Sequence, residues 1–599
     1  MFTILFLFDD TLFVCSGSMK AKPSLYRLWF QNPKWWFDPH DSFDDLITEQ
    51  FQHLLDSDSQ FTFNRNTSIS LDLIEAIEYI LIHDQLPRHV YRKEPADHII
   101  AYHLIKAQEV SQHILEQYTY WNTAISATEW CFIMLPLRHS NKFKLCNQTL
   151  QNAWDLLRMY RENDAESYTT IKRFIKATYQ HMPNASRDID FEYHEHYPSK
   201  KETRRCCYEF DIDLTPYSRI LKFAPTTATL MLDIKSNNTL LNSFKPFVND
   251  FLNAVESSGG ASTFIISLSG GVDSMLCSYL AYKLILQKSR HDKNNRKHVV
   301  HAVHVNYKNK KDCDVDEEFV REWCFALQIP LTVRRIHEIQ RTPCMANEMR
   351  DIYETYTRNV RYSTYKHVAQ MYNNDVDGNR TEMPCVILGH NKDDCFENIL
   401  TNLSYVQKYE NLKGMTTIAR QDGIMFVRPL LDRSKLEIRK CAEDNMIPHL
   451  HDSTPTWSQR GKIRDIVVPA LNEMDHRCIP GMFQLSNVMT ELHEIVDNNV
   501  ERWCKNTKTQ GDQPGPTRTA RLDIELSELT ISLLHWKKFL SCVTGMCPPT
   551  KSLGVLTSHL SQCKRTNIHP NKYNIVVSKH VSMSIATMKN NIELCIRWQ

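Results

Sequence analysis

Apolar residues recur at spacings of three and four from about Pro23 to Tyr179, in text with few glycines, and this rhythm predicts an all-α domain over residues 23–180. In SLDLIEAIEYILIHDQLPR, Leu73, Ile74, Ile77, Ile80 and Leu81 share one helical stripe, with Ser70 placed to cap the helix and Pro87 to end it. From Met182 to Tyr217 polar and charged text breaks the period and predicts a linker or extended connection, 181–224. After Pro225 the rhythm changes. The short β-branched runs FIISL, VVHAVHV, LTVRRI and CVILGH, starting at Phe264, Val299, Leu331 and Cys385, alternate with amphipathic helical segments. One of these puts Phe319, Val320, Trp323 and Leu327 on one face, and another runs from Ala346 to Tyr372. Such alternation predicts an α/β domain over 225–425, a parallel sheet with helices on both faces whose ligands bind at the carboxyl ends of the strands. A helical region, 426–500, a Gly/Pro-bearing linker, 501–522, and a mixed C-terminal domain, 523–599, come after it.

A chain of 599 residues is too long for one hydrophobic core, so several domains are expected. With 71 Lys and Arg against 70 Asp and Glu, the net charge of +1 gives no global pull toward nucleic acid or an anionic membrane, and any nucleic-acid site must be a local patch. The 18 cysteines are scattered without a CxxC pair, which suits a reducing, cytoplasmic setting. Residues 1–22 read as an N-terminal extension: the apolar MFTILFLF is interrupted by Asp9 and Asp10, and Met19 offers a second start. No run approaches the roughly 18 apolar residues of a membrane span.

SGGVDS, Ser269 to Ser274, follows an expected strand and opens an expected helix. A glycine-rich turn there presents backbone N–H groups to a phosphate beside a helix N-terminus, with Gly270 and Gly271 permitting close approach and Ser269 and Ser274 adding hydroxyls. Neither GxxxxGK[ST] nor GxGxxG fits, and taken alone the hexapeptide reads first as a tight turn with a capping Asp or Ser. Further on, ILGHNKDDCFENILTNL sets Asp394 and Glu397 three apart, on one face of a helix beginning there, able to hold Mg²⁺ or an amine. An acid-rich first turn that suits the helix dipole reads the same way.

SGGVDS resembles the pyrophosphate loop of the N-type ATP pyrophosphatases, the PP-loop superfamily, which split ATP to AMP and pyrophosphate while adenylating a carbonyl oxygen or a carboxylate. The GHxxDDxxE-type text at His390 is similar to that of the tRNA(Ile)-lysidine synthetases and their thiolating relatives. Four more segments resemble the lysidine synthetases in order and spacing over Phe264 to Leu471: HVNYKNK at His304; ETYTRNVRY, matching ExxxRxxRY through Glu354, Arg358, Arg361 and Tyr362; RPLL at Arg428 after LKGM at Leu412; and QRGKIRDIVVPAL, similar to RNxIRxxxxPxL. Asn398, Pro455 and Gly461 depart from that pattern, standing where the family has Thr, Asn and Asn.

The resemblance implies a Rossmann-like, HUP-type ATPase domain using ATP and Mg²⁺, with tRNA, at its anticodon, and free lysine as partners. It assigns Ser269, Gly270, Gly271, Val272, Asp273 and Ser274 to the nucleotide's phosphates, with His304, Gly389 and His390 completing the nucleotide site. It assigns Asp273, Asp393 and Asp394 to the metal, and Asp394, Glu397, Arg358, Arg361 and Arg460 to catalysis. Each arginine reads equally as a solvated or ion-paired helix face, and His390 as a core histidine. RPLLDRSKLEIRK and RGKIR supply the basic surface that a tRNA substrate needs. The rival enzyme reading is tRNA thiolation on the same fold, which usually displays paired cysteines; the rival from another class is a non-catalytic ATP- or tRNA-binding scaffold. In the helical domain, WWF, LIHDQLPRHVYR and FIMLPLRHSNK resemble the uncharacterised, TPR-like DUF924 family through Asp84, Gln85, Arg88, Arg92, Arg138 and His139, while Asn141 replaces an acidic residue. In that module Trp35, Trp36 and Phe37 read first as core, with the clustered polar residues as the lining of a groove in the alternative reading, and a protein partner is a further expectation.

Overall fold

A computed structural model describes residues 24–56, 69–182, 192–194, 208–223, 229–232, 247–254, 263–286, 298–373, 383–404, 412–509, 518–525, 532–566, 572–577, 581–587 and 591–598, short interruptions inside the longer spans aside. Trp35, Trp36, Phe37 and Pro455 lie outside the described residues. The chain forms two compact units, one of Met1–Lys201 with Val300–Pro384, the other of Glu202–Val299 with Cys385–Gln599. No described helix is long and apolar enough to cross a membrane.

In the first unit the helical rhythm becomes helices Leu25–Gln31, Asp41–Phe51, Ile69–Ile80, Asp97–Gln117, Ala127–His139, Phe143–Tyr160 and Ala165–His181. Leu73, Ile77, Ile80 and Leu81 are buried as their spacing predicts, but Ile74, at the edge of the stripe, is 49% exposed. Two punctuation marks read differently in three dimensions. Ser70 lies inside the helix, which already begins at Ile69. Pro87 does not end the helical run: a π-helical turn, Leu81–Gln85, intervenes, and Pro87 sits in the first turn of Leu86–Val90, where its missing N–H is not needed.

The same unit holds strands Val299–Asn306 and Leu331–Arg335, paired in parallel with His304 opposite Val333, and Glu192–His194, antiparallel to the second. This last strand comes from the stretch expected to be a linker. The helix expected from Ala346 to Tyr372 is interrupted: Arg341–Ala346 ends at Asn347, Glu348 takes a left-handed φ of 54°, and Arg350–Asn373 then begins. Ile336, Ile339, Cys344, Met349, Ile352, Tyr353, Tyr356 and Val360 share one continuous core with the N-terminal helices. Polar ties reinforce that core. Tyr179 Oη donates to the Glu338 carbonyl at 2.7 Å, and Tyr356 Oη donates to the Glu338 carboxylate at 3.0 Å. The N-terminal helices are therefore built onto the segment that leads into the ExxxRxxRY helix, not tethered beside it.

In the second unit, Thr263–Ser267, Cys385–Ile387 and Ile424–Val427 run parallel in that order, with Ile418–Gln421 antiparallel at the edge. Their β-branched and aromatic residues are almost wholly buried, as strands covered on both faces require. The C-terminal part is an antiparallel five-stranded sheet ordered Lys508–Thr509, Arg518–Glu525, Asn591–Trp598, Val581–Thr587, Lys572–Val576, so the stretch expected to be a second linker carries the end of a helix, one short strand and the start of another. Ala520, Leu522 and Ile524 alternate inward onto Trp536, Phe539 and Leu540 and onto Val496, Val500 and Trp503 of the 29-residue helix Cys478–Asn506.

Met349→Ala, which empties a fully buried site of the continuous core, is expected to cost about 3 kcal/mol. Amide exchange should rise together in Ala127–His139 and in Arg350–Asn373. Exchange confined to the second helix would mean that the two parts unfold separately.

Candidate functional site

The buried strand Thr263–Ser267 delivers the chain to Leu268, and the loop turns on Gly270, whose φ of 85° only glycine adopts without strain. Gly271 then caps the helix Val272–Ala281 in extended conformation. The two serines knit the loop: Ser274 Oγ donates to the Gly271 carbonyl at 2.9 Å, accepts from the Ser269 N–H at 3.2 Å and lies 3.1 Å from Ser269 Oγ. Val272 is buried, and Asp273, in the first turn, is half-buried. Two residues beyond the parallel neighbour Cys385–Ile387 stands Gly389, where a Cβ would lie 2.9 Å from Asp273 C and Ser274 N. Only a glycine lets the two strand ends meet so closely.

Next to that contact begins the helix Lys392–Ser404. Asn391 exchanges hydrogen bonds with Asp394, its N–H donating to Oδ2 at 3.2 Å while its Oδ1 accepts the Asp394 N–H at 3.0 Å. Its Nδ2 donates to Asp273 Oδ1 at 2.9 Å, so one asparagine holds both carboxylates. Lys435, in the first turn of Lys435–Asp444, pairs with the other oxygen of Asp273. Asp394 is 8% and Glu397 2% exposed, and both face Arg464. The Arg464 guanidinium donates to Glu397 Oε1, to Asp394 Oδ1 at 3.2 Å and to Asp452 Oδ2 at 2.6 Å. It projects from a second π-helical turn, Ile463–Val467. Burial raises the pKa of Glu397 even against the hydrogen bond from Arg464. For Arg464, burial opposes its charge, but the hydrogen bond to Glu397 and the nearby carboxylates prevail and raise its pKa. Glu397 Oε2 has no hydrogen-bond partner among the described residues; Arg460 Nε lies 3.6 Å away.

Residues 240–471 match the PP-loop domain family, and residues 25–191 match a family described as bacterial protein of unknown function, DUF924. The chain carries a PP-loop domain. Over 251 residues it is 24% identical to the tRNA(Ile)-lysidine synthase of Malacoplasma penetrans, covering 40% of this chain and 74% of that protein. Over 264 residues it is 26% identical to the tRNA(Ile)-lysidine synthase of Clostridium acetobutylicum, covering 43% of this chain and 51% of the relative, so the match spans about half that relative's length. Among solved structures, the U34-tRNA thiolase NcsA from Methanococcus maripaludis with its 4Fe-4S cluster aligns at a TM-score of 0.31 and 16% identity, over 41% of this chain and 80% of that one.

Within the unit that holds the PP-loop turn, the structure gathers Ser269 to Ser274, Gly389, Asp394, Glu397 and Arg460. His390, half-buried, accepts from Arg428 Nε at 3.1 Å. Asp393 is exposed and accepts from the Lys435 N–H at 2.5 Å, capping the neighbouring helix. His304, Arg358 and Arg361 belong to the other unit: His304 is 5% exposed in its strand, Arg358 is exposed, and Arg361 is half-buried near Tyr307, Tyr362 and Tyr365. Glu354 of the ExxxRxxRY text pairs at the surface with Arg350, 2.7 Å away. Of the departures, Asn398 accepts from Asn402, and Gly461 donates to the capping Ser458 Oγ at 3.0 Å. Sequence reading passed over Asn391, Lys435 and Arg464, although all three lie inside the quoted motifs.

Two outcomes test this arrangement. Gly389→Ala is expected to cost about 2 kcal/mol by overpacking, visible as a lower melting temperature. Arg464→Gln takes from a 2%-exposed carboxylate its nearest cation, leaving the partly exposed Arg460 at 3.6 Å, and is expected to cost about 2 kcal/mol at pH 7.5. The remaining Glu397 then has a folded-state pKa above its unfolded value. Its stabilising effect is present below the unfolded value and lost as pH rises through the folded one, so the deficit should shrink toward pH 5 in urea titrations.

Proposed function

We propose that the PP-loop domain is an ATP-dependent tRNA-modifying ligase that adenylates the C2 carbonyl of an anticodon cytidine and joins lysine to it. The observation that carries this reading is the state of Glu397: a buried carboxylate with a raised pKa, one oxygen held by Arg464 and the other without a hydrogen bond among the described residues, a short way along the helix from Asp394. The ε-ammonium of lysine must lose a proton before it can attack. A carboxylate of raised pKa with an available oxygen is suited to receive both the cation and the proton. The name shared by the curated relatives, tRNA(Ile)-lysidine synthase, supports the same substrates.

In this reading the turn Ser269–Ser274 receives the leaving pyrophosphate through backbone N–H groups and hydroxyls, as helix N-termini do. Lys435 stands beside it as a compensating cation. Asp273 and Asp394, joined through Asn391, fit a magnesium ion, which takes one or two carboxylates and completes its shell with phosphate oxygens and water. Bound there, the ion would neutralise charge on the leaving group. Arg460, 58% exposed at its side chain, is able to turn toward the adenylated base. Arg358 and Arg361 are assigned to tRNA or phosphate, and exposed Lys440 and Lys462 to the tRNA backbone.

The test is mass spectrometry of tRNA nucleosides after incubation with ATP and isotope-labelled lysine. The expected product is a cytidine carrying the label. Gain of sulfur, or an unmodified tRNA despite ATP binding, overturns the proposal. Asp273→Ala should abolish ATP–pyrophosphate exchange. Glu397→Gln should keep exchange but lower lysine transfer by about 100-fold.

A further inference from the structure

The helical unit brings together two phrases that lie more than fifty residues apart. Asp84, in the π-helical turn Leu81–Gln85, is 1% exposed. It accepts from His139 Nδ1 at 2.8 Å and from Arg88 Nε and Nη2 at 3.3 Å, and Gln85 completes its shell. Arg138, the neighbour of His139 at the end of Ala127–His139, stacks its guanidinium over Phe174, 5.5 Å from the ring centroid. Its Nε is buried without a hydrogen-bond partner among the described residues. Burial pushes the Arg138 pKa down despite the charge of Asp84, and burial likewise pushes His139 below its ordinary value.

Purely structural ion networks balance their charge and fill their hydrogen bonds. This one leaves a buried donor of Arg138 open among the described residues, beside a solvent-accessible imidazole. Two guanidiniums, Arg88 and Arg138, and the His139 ring lie close enough to act on the one buried carboxylate, Asp84. Asp84 fixes the His139 ring through Nδ1, so Nε2 is turned away from the carboxylate. The His139 and Arg88 side chains are 21% and 33% exposed, which gives solvent access to a cluster whose carboxylate is fully enclosed. A mostly buried guanidinium with an unmet donor, a second guanidinium and an oriented imidazole together match a tetrahedral oxyanion.

We propose that Arg88, Arg138 and His139, oriented by Asp84, form a second anion site in the helical unit, for a phosphate group, free or carried by a small molecule. The test uses the full chain with a non-hydrolysable ATP analogue at saturation, so that the PP-loop turn is occupied, and titrates inorganic phosphate and glycerol 3-phosphate in parallel. Calorimetry and the NMR signal of a histidine-labelled sample, assigned by His139→Gln, are the readouts. One equivalent is expected to bind at about 1 mM or tighter and to shift the His139 signal. Arg138→Gln and Arg88→Gln should each weaken binding by about tenfold or more. Tighter binding of the ester identifies a phosphate ester as the ligand, and tighter binding of free phosphate identifies the inorganic ion. No binding up to about 20 mM, or a His139 signal that stays fixed, overturns the proposal. So does affinity unchanged in Arg138→Gln with wild-type circular dichroism; should that variant not fold, unchanged affinity in Arg88→Gln overturns it equally.

Discussion

A carboxylate out of reach of water keeps its charge only beside a cation, and the architecture around the PP-loop turn follows from that constraint. Glu397 and Asp394 are buried by the helix that begins at the strand end, and one guanidinium, Arg464, compensates them both while reaching Asp452. Asp273 is held on one side by Asn391 and on the other by Lys435. Loop, acidic helix and the two later helices are thus bound by charge as well as by packing. Removing Arg464 would strip two buried carboxylates of their shared cation, and removing Lys435 would free one oxygen of the half-buried Asp273, so these elements are positioned as a set.

The N-terminal helices obey a different constraint. Their apolar faces are not closed among themselves but run on into Ile336, Met349, Ile352, Tyr356 and Val360, with Tyr179 reaching the Glu338 carbonyl. The DUF924-like helices and the start of the ExxxRxxRY helix are therefore one folding problem. A mutation in either is felt through a shared interior, and the fusion in sequence is also a fusion of cores.

Much of this was legible along the chain because it is local. The buried runs at Phe264, Val299, Leu331 and Cys385 became strands within a residue or two of their expected starts, and Phe319, Val320, Trp323 and Leu327 became a buried face. The glycine pair and the Asp394–Glu397 spacing marked the loop and helix they occupy. What stayed hidden depends on partners remote in sequence. Arg464 reads as one more basic residue until Glu397, 67 positions earlier, is brought against it. Glu192–His194 reads as polar linker until Leu331–Arg335 offers an edge to pair with. Pro87 reads as a stop because its one-residue accommodation, the wide turn before it, has no signature in composition.

That wide turn has a counterpart. Asp84 and Arg464, the residues around which the two charged clusters are organised, both sit in π-helical turns. A π turn is a helix with one residue too many. Deleting a single residue within 81–85 or 463–467 would restore an even winding and leave the downstream helix nearly in phase, while the wide turn that presents Asp84 or Arg464 would be lost. Each cluster thus depends on the chain's length at one point more than on its chemistry there, and its geometry would have arisen, and would be lost, in a single insertion or deletion.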